Sequence, residues 1–187
     1  MVQLQQFEDT QIRGLRRAEY DVLVERGVIS EDERIELIDG MLVTMSPQSS
    51  EHAEIVSRFD EELKEALGRR ARVRVQLPLA VSETSEPEPD IAVVPPGNYA
   101  KAHPTSAWLV IEIAVDSVRK DRILKSRVYG ASGIPEYWLV NVPAREIEVY
   151  HEPHSEGYHS LKRYGMGERI TCLQFPDVDI EVARLLV

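Results

Sequence analysis

Two carboxylates stand in segments whose other residues are mostly apolar. Asp90 follows Pro89 in the segment 86–95, and Glu112 lies in the middle of the run 108–115. Both segments are typical of short strands, and the second is apolar on both faces, as expected of a central strand covered on each side. An ionised glutamate buried there costs several kcal/mol unless a cation or hydrogen bonds compensate it. We therefore expect a positive charge beside Glu112.

The segment 118–133 can supply that charge. Its composition favours a helix, for which Gly130 and Gly133 are both candidate ends. Asp121, Lys125 and Tyr129 stand at i, i+4 and i+8, so one helix face would present an acid, an ammonium group and a phenol. These groups can hold charge and donate hydrogen bonds, and together with the strand carboxylates they form a candidate reactive site.

The order of elements positions these groups. An apolar strand (108–115), the helix (118–133) and a second strand (135–141) make a βαβ unit. Such a unit joins parallel strands through a right-handed crossover. The crossover helix would then deliver Lys125 to the strand that carries Glu112.

These residues resemble the Uma2 family, which belongs to the PD-(D/E)xK superfamily of restriction-endonuclease-like nucleases. The resemblance rests on Pro89-Asp90, on Glu112, on the polar residues of the following helix and on the run Gly-Ile-Pro-Glu-Tyr-Trp at 133–138. It extends roughly from Tyr20 to the C-terminus. It implies an α/β fold with a restriction-endonuclease-like mixed β-sheet flanked by helices, as a single domain over residues 1–187.

One position departs from the superfamily pattern. Ala114 stands two positions after Glu112, where the superfamily carries a lysine. In the Uma2 pattern the lysine lies on the following helix, and Lys125 matches that place. The departure therefore fits the family, although it weakens the match to the wider superfamily.

The resemblance implies an endonuclease that hydrolyses DNA phosphodiester bonds with Mg²⁺ or Mn²⁺. A divalent ion held by two carboxylates lowers the pKa of bound water and screens the phosphate, and Mg²⁺ prefers oxygen ligands. Asp90 and Glu112 suit that role, with the carbonyl of Ile113 as a further ligand. Lys125 would orient or deprotonate the attacking water, or hold the scissile phosphate, with a pKa kept low by the metal. Tyr129 would donate to phosphate.

Three further residues are weaker candidates. By resemblance, Glu36 is a third functional carboxylate; from its residue type alone it is an outward-facing strand glutamate. His52 is either a surface residue or a contact to phosphate or to a neighbouring carboxylate. Asp121 could pair with Lys125 or support the metal from outside its ligand shell.

Each site residue also has a structural interpretation. Asp90 could cap a turn, and Asp121 and Lys125 could form an ordinary exposed i,i+4 pair. Tyr129 could be half-buried packing, and we interpret Glu136 and Trp138 as structural residues. Glu112 is the hardest to explain this way, because a central strand rarely holds an unpaired glutamate.

The rest of the chain supplies the scaffold. We predict an amphipathic helix (15–26), a hairpin (34–45) turning at Asp39-Gly40, a long helix (49–68), a half-buried strand (71–81), a polar loop (95–107) of the kind that often borders a binding site, strands at 145–152, 158–165 and 169–175, and a tail (177–187) ending in a short helix or strand. The strands after Asn141 should extend the sheet or pair with a second subunit.

Composition limits the class of protein. The chain has 187 residues, 43% of them hydrophobic and 29% charged, as in an ordinary globular domain. No apolar run approaches a membrane span, and residues 1–14 lack the layout of a signal peptide. The single cysteine, Cys172, excludes an intramolecular disulfide. A cytoplasmic location is expected.

The net charge of −10 opposes a simple nucleic-acid binder. Two basic clusters, at 69–74 and 119–122, could still provide a local contact, although the first is interpreted mainly as a solvated face. The alternative function is therefore a non-cleaving nuclease-fold module for protein or nucleic-acid binding, and a hydrolase of smaller phosphate esters ranks last. For the endonuclease we expect double-stranded DNA as partner, no membrane, and a homodimer, because two sites related by a two-fold axis can cut both strands.

Overall fold

A six-stranded mixed sheet with helices on both faces forms the centre of the computed structural model, which describes residues 13–30 and 32–186. The strands are β1 (Ile35–Ile38), β2 (Met41–Thr44), β3 (Arg72–Val75), β4 (Ile91–Val94), β5 (Leu109–Ala114), β6 (Glu136–Asn141), β7 (Glu146–His154), β8 (Gly157–Gly165), β9 (Arg169–Thr171) and β10 (Asp179–Glu181). The helices are α1 (Arg17–Glu25), α2 (Ser50–Leu67), α3 (Val118–Lys120), α4 (Ser126–Ala131) and α5 (Val182–Leu185), and a π-helical turn (Asp121–Lys125) joins α3 to α4.

The main sheet has the order β3-β4-β5-β6-β7-β8. Strands β5 and β6 are parallel, and the other neighbouring pairs are antiparallel. The predicted βαβ unit and the predicted mixed sheet are therefore confirmed. Gly130, a predicted helix end, lies instead inside α4, where an added Cβ would stand only 2.0 Å from the carbonyl oxygen of Gly157. This glycine thus permits the close packing of α4 on the β7–β8 hairpin.

Each face of the sheet has its own apolar core. Helix α2 covers one face because Ile55, Phe59 and Leu63 recur every four residues and bury completely. Ser49 caps its first turn by accepting a hydrogen bond from the amide of His52. The opposite face carries Val110 and Leu139 and packs against α4.

Strand register places three acids on the α4 face. Glu112 pairs with Leu139 of β6, which pairs with Glu148 of β7. Asp90 directly precedes the pair of Ile91 with Ile111, so it lies beside Glu112 on that face. The sheet therefore aligns these carboxylates in one row.

The hairpin of β1 and β2 turns at Asp39 and Gly40, as predicted. Both residues have positive φ, 48° and 75°, which is the conformation of a type I′ turn. The hairpin forms a separate two-stranded sheet and lies next to the helical crossover, where Arg127 of α4 contacts Asp39.

Several predicted boundaries were wrong. The strand predicted over 71–81 ends at Val75, because Gln76 has φ +50° and leaves the extended conformation. The loop 95–107 is a loop, but it joins the end of β4 to the start of β5, away from Asp90. The strand predicted over 169–175 is limited to β9, which pairs with β10 rather than with the main sheet.

The strands after Asn141 otherwise follow the prediction, since β7 and β8 extend the main sheet. Within the described ranges, no helix is both long enough and apolar enough to cross a bilayer. The expectation that no signal peptide is present concerns residues 1–14, of which residues 1–12 lie outside the described part of the chain.

Candidate active site

Glu112 lies in the centre of the candidate site, 6% exposed. Tyr129 donates its hydroxyl to Oε1 at 2.6 Å, and the ammonium nitrogen of Lys125 lies 3.2 Å from the same oxygen. The pKa of Glu112 is raised to about 8, mainly by burial; Lys125 lowers it, and the neighbouring carboxylates of Asp90, Asp121 and Glu36 raise it. The predicted cation is present, but one ammonium group does not compensate the crowded acids.

Asp90 is fixed by donors from three segments. Its Oδ2 accepts a hydrogen bond from the amide of Ile113 at 2.8 Å and lies 3.0 Å from Nε2 of His52, while Oδ1 accepts from the side-chain amide of Gln76 at 3.2 Å. His52 therefore contacts a neighbouring carboxylate, one of the three predicted possibilities. Burial lowers the pKa of His52, but the hydrogen bond and the charge of Asp90 more than offset this and hold the pKa above its usual value.

Gln76 was missed by the sequence analysis. It continued a predicted strand, and its left-handed backbone conformation depends on tertiary contacts that periodicity does not encode. Its backbone amide also donates to the carbonyl oxygen of Asp90 at 3.1 Å. Gln76 therefore positions Asp90 through both main chain and side chain.

Lys125 is 3% exposed and contacts Glu36 and Glu112 together. Burial lowers its pKa, but Glu112 and Glu36 more than offset this and hold the pKa above the usual value. The lowered pKa was expected beside a bound metal and stays a prediction.

Glu36 is buried, 1% exposed, so its interpretation as an outward-facing strand residue is wrong. It contacts Lys125, lies 3.3 Å from the ammonium nitrogen of Lys120, and accepts a hydrogen bond from the amide of Glu88 at 3.3 Å. The hairpin thus contributes a carboxylate that holds the crossover helix against the sheet.

The structure gives partners to two helix residues. Tyr129 is fully buried rather than half-buried, and its hydroxyl donates to Glu112, so it orients that carboxylate; a contact to phosphate stays a prediction. Asp121 is buried and accepts a hydrogen bond from the hydroxyl of Ser117, rather than pairing with Lys125. Burial raises the pKa of Asp121.

The π turn of the crossover is anchored to the sheet by an ion pair. Arg122 donates from Nε and Nη2 to the two carboxylate oxygens of Glu148, at 3.0 and 2.5 Å, and Tyr150 donates its hydroxyl to Glu148 at 2.6 Å. Glu148 is completely buried. Since Arg122 lies between Asp121 and Lys125, this pair holds the segment that presents both residues to the site.

Glu136 and Trp138 are structural, as interpreted from the sequence. Glu136 is buried on the α2 side of the sheet and accepts hydrogen bonds at 2.8 Å from the indole nitrogen of Trp138 and the amide of Leu173. The site on the other face does not use them.

A cleft of about 130 Å³ opens onto these residues. If all its acids are ionised, six negative charges face three permanent cations, an excess of three before His52 is counted. The acids are Glu36, Glu88, Asp90, Glu112, Asp116 and Asp121, and the cations are Arg34, Lys120 and Lys125. Such an excess favours the binding of a cation.

The donor chemistry of the cleft fits Mg²⁺ or Mn²⁺. Asp90, Glu112 and the carbonyl of Ile113 offer oxygen ligands only, which Mg²⁺ prefers, and Mg²⁺ often uses only one or two protein carboxylates. Across residues 13–30 and 32–186, no group of three or more His, Cys, Asp or Glu side chains is arranged to hold a metal ion. The carboxylate oxygens are instead engaged by protein donors such as Tyr129 and Lys125.

Comparisons with known proteins agree with this architecture. The profile of the Uma2 family, described as "Putative restriction endonuclease", matches residues 17–183. A solved structure, titled as a putative nuclease belonging to DUF820 from Anabaena variabilis, superposes with a TM-score of 0.70 at 16% identity, covering 91% of this chain and 97% of its own. That likeness shows a shared fold. No curated protein matches the sequence.

Proposed function

The chain belongs to the Uma2 family of "Putative restriction endonuclease" proteins, and on that premise we propose a divalent-metal-dependent endonuclease that hydrolyses phosphodiester bonds in double-stranded DNA. One observation carries the proposal. Asp90, Glu112 and Lys125 come from two strands and the crossover helix and meet at a cleft with excess negative charge. A nuclease-like function agrees with both the family and the fold.

The acids of the cleft would hold the metal. Asp90, Glu112 and the carbonyl of Ile113 are the proposed ligands. When bound, a divalent cation activates water for attack on phosphorus and screens the charge of the phosphate. It would also stabilise the ionised form of Glu112, whose pKa is raised to about 8 by burial and next by the neighbouring acids.

The protein's own groups orient the reaction. Lys125, held between Glu36 and Glu112, presents an ammonium group that can hold the scissile phosphate or donate to the attacking water. Deprotonation of the attacking water is the alternative role for Lys125. Tyr129 orients Glu112 and Gln76 orients Asp90, so each carboxylate is fixed before substrate arrives.

A non-cleaving module of the same fold is the second candidate function. The net charge of −10 and the engagement of the carboxylates by protein donors favour it. Calorimetry separates the two functions. The endonuclease requires a site for Mg²⁺ or Mn²⁺ that Glu112→Gln weakens, whereas the module requires none.

The direct test is incubation of the purified protein with supercoiled plasmid and Mg²⁺ or Mn²⁺. We expect nicked or linear product that disappears in Asp90→Ala and Glu112→Ala. Glu65→Gln, a change at an exposed position of α2, is the matched control and should cleave normally. Cleavage that persists in both alanine variants would place the active site elsewhere.

Two expectations stay predictions. A homodimer would present two sites to the two strands of a duplex, and light scattering of the purified protein measures its mass directly. A cytoplasmic location is likewise still to be tested, by fractionation of cells that express the protein.

A further inference from the structure

Edge strand β3 carries a buried arginine that has no acidic partner among the described residues. Arg74 is 8% exposed, and its guanidinium donates from Nη2 to the carbonyl oxygen of Pro78 at 3.2 Å. Its Nε is buried and makes no hydrogen bond within the described part of the chain. Arginine is almost never buried unless its charge is paired. Arg74 therefore lacks the anion that its environment requires.

A second arginine lies beside it. Arg72 and Arg74 both contact the ring of Tyr99, with guanidinium carbons 5.9 and 5.6 Å from the ring centroid. Arg72 also donates to the carbonyl oxygen of Gly97 at 2.9 Å. Burial, and next the charge of Arg72, lower the pKa of Arg74, which agrees with the lack of an acidic partner among the described residues.

The surrounding sequence supplies no counter-charge either. The loop 95–107, which carries Tyr99, contains Lys101 and His103 but neither Asp nor Glu. Other arginines do have acidic partners: Arg70 contacts Asp177 at 2.7 Å, so the basic cluster 69–74 divides into a solvated part and the Arg72–Arg74 pair. In a chain of net charge −10, two adjacent arginines without an acid indicate a site for an external anion.

Register places this pair on the face of the sheet that carries the active site. Arg74 pairs with Ala92 and Arg72 with Val94 of β4, and Asp90 lies two residues before Ala92 on the same face. Measured along the strand direction, Arg74 therefore lies roughly 7 Å from Asp90 and Arg72 roughly 13 Å. Successive phosphates of one DNA strand are about 3.4 Å apart along the helix axis, so this span covers about two to four nucleotides.

We propose that Arg72 and Arg74 hold the phosphates of double-stranded DNA about two to four nucleotides from the cleaved bond. Guanidinium groups bind phosphate through two parallel hydrogen bonds, and such contacts fix the position of a duplex without selecting its sequence. The inference rests on the proposed endonuclease function and deepens it by assigning the surface that holds the substrate. It also explains how a protein of net charge −10 can bind a polyanion, because the two arginines attract the phosphates locally.

The test uses the Glu112→Gln protein, which should bind DNA without cutting it, and a fluorescent duplex oligonucleotide. Fluorescence anisotropy at several KCl concentrations gives the affinity and its dependence on salt. Each phosphate contact contributes about 0.9 to the slope of log K against log salt. We expect Arg72→Gln and Arg74→Lys each to weaken binding several-fold, and Arg72→Gln to reduce the slope by about 0.9.

Arg26→Gln is the control, since Arg26 is exposed at the end of α1; it should change neither affinity nor slope. Unchanged binding in both the Arg72 and the Arg74 variants, or no binding of the duplex by the Glu112→Gln protein itself, would overturn the proposal. If circular dichroism shows that Arg74→Lys is misfolded, Arg72→Gln decides alone, because Arg72 is exposed.

A parallel measurement separates this proposal from the proposed function. In the chain with Glu112 intact, Arg72→Gln should raise the KM for duplex cleavage. If the binding slope falls as expected but the unsubstituted protein cuts no DNA with Mg²⁺ or Mn²⁺, the endonuclease function fails and the phosphate-binding surface stands. If the protein cuts DNA and the arginine variants bind normally, only the surface fails.

Discussion

Glu112 and Glu148 are two buried glutamates in the same row of the sheet, separated by Leu139, and they have opposite electrostatics. Burial raises the pKa of Glu148, but Arg122 and Tyr150 more than offset this, so its pKa is lowered overall. Burial raises the pKa of Glu112 to about 8, and the neighbouring acids outnumber its one close cation. Burial of a carboxylate therefore does not mark function by itself; the balance of nearby charge does.

The largest effect should come from Glu112→Gln. We expect cleavage to fall by roughly 1,000-fold, within the range for loss of a catalytic proton-transfer or charge-stabilising group, while the melting temperature at pH 9 stays level or rises. The reason is the sign of the pKa shift. With a folded pKa of about 8 and an ordinary unfolded pKa, ionisation of Glu112 costs stability as pH rises between them. Plasmid cleavage measures the activity, and thermal unfolding measures the melting temperature. A variant that loses both its fold and its activity would contradict the contrast between Glu112 and Glu148.

Substitution of Lys125 tests the role of the cation beside Glu112. We expect Lys125→Gln to lower cleavage about 100-fold, and Lys125→Arg to keep more activity, because a fixed positive charge is what the site needs. Rate against pH is the second measurement. If Lys125→Arg is as inactive as Lys125→Gln, a proton-accepting lysine would explain the result better.

Glu148→Gln should affect stability first. It leaves Arg122 and Arg163 without their buried partner, and we expect a loss of about 2 kcal/mol in the free energy of unfolding, since both arginines are partly exposed. Urea denaturation measures this change. Cleavage should also fall, because the π turn that presents Lys125 loses its anchor. An unchanged unfolding free energy would show that the ion pair is not a structural anchor.

Glu86 is a further buried glutamate, and it lies outside the cleft that Glu112 lines. Its Oε2 is buried without a hydrogen bond from any described residue, 3.9 Å from Arg17, and burial raises its pKa to about 7. The unfolded carboxyl loses its proton first, so stability declines as pH rises from the unfolded pKa to about 7. Glu86→Gln should therefore stabilise the protein by about 1 kcal/mol at pH 8, with little effect at pH 4 and normal cleavage. Lost cleavage would link Glu86 to the site.

The smallest effect is expected at Gln76. Gln76→Gly removes the donor to Asp90 but suits the positive φ, so the unfolding free energy should stay within about 1 kcal/mol while cleavage falls a few-fold. Gln76→Asn, which tolerates the same backbone conformation, is the matched comparison. Equal activity in the unsubstituted protein, Gln76→Gly and Gln76→Asn would show that Asp90 does not need the side-chain hydrogen bond from Gln76.

Periodicity and turn chemistry predicted the elements that carry the site. Apolar runs predicted β5 and β6, apolar residues four positions apart predicted α2, and the pair Asp39-Gly40 predicted the turn of the hairpin. The need for a cation near Glu112 followed from its position alone. These features depend on local sequence, which the chain displays directly.

The partners of each group could not be predicted, because they depend on which segments meet in the fold. Nothing in the spacing of Arg122 and Glu148 indicates that they pair, and nothing near Gln76 predicts its backbone conformation. The raised pKa of Lys125 follows from Glu112 and from Glu36, and Glu36 lies on a hairpin 89 positions away in the chain. Charge balance is a property of the assembled site.

The π turn at Asp121–Lys125 makes the active site unusually sensitive to chain length. A π turn holds one residue more than the α-helical turn it replaces, and each residue of an α-helix turns the chain by about 100°. Removing a single residue here would regularise the helix and swing everything downstream about its axis, carrying the ammonium group and the phenol away from the carboxylate they serve. A one-residue deletion in this segment should therefore abolish the proposed cleavage while leaving a more regular helix.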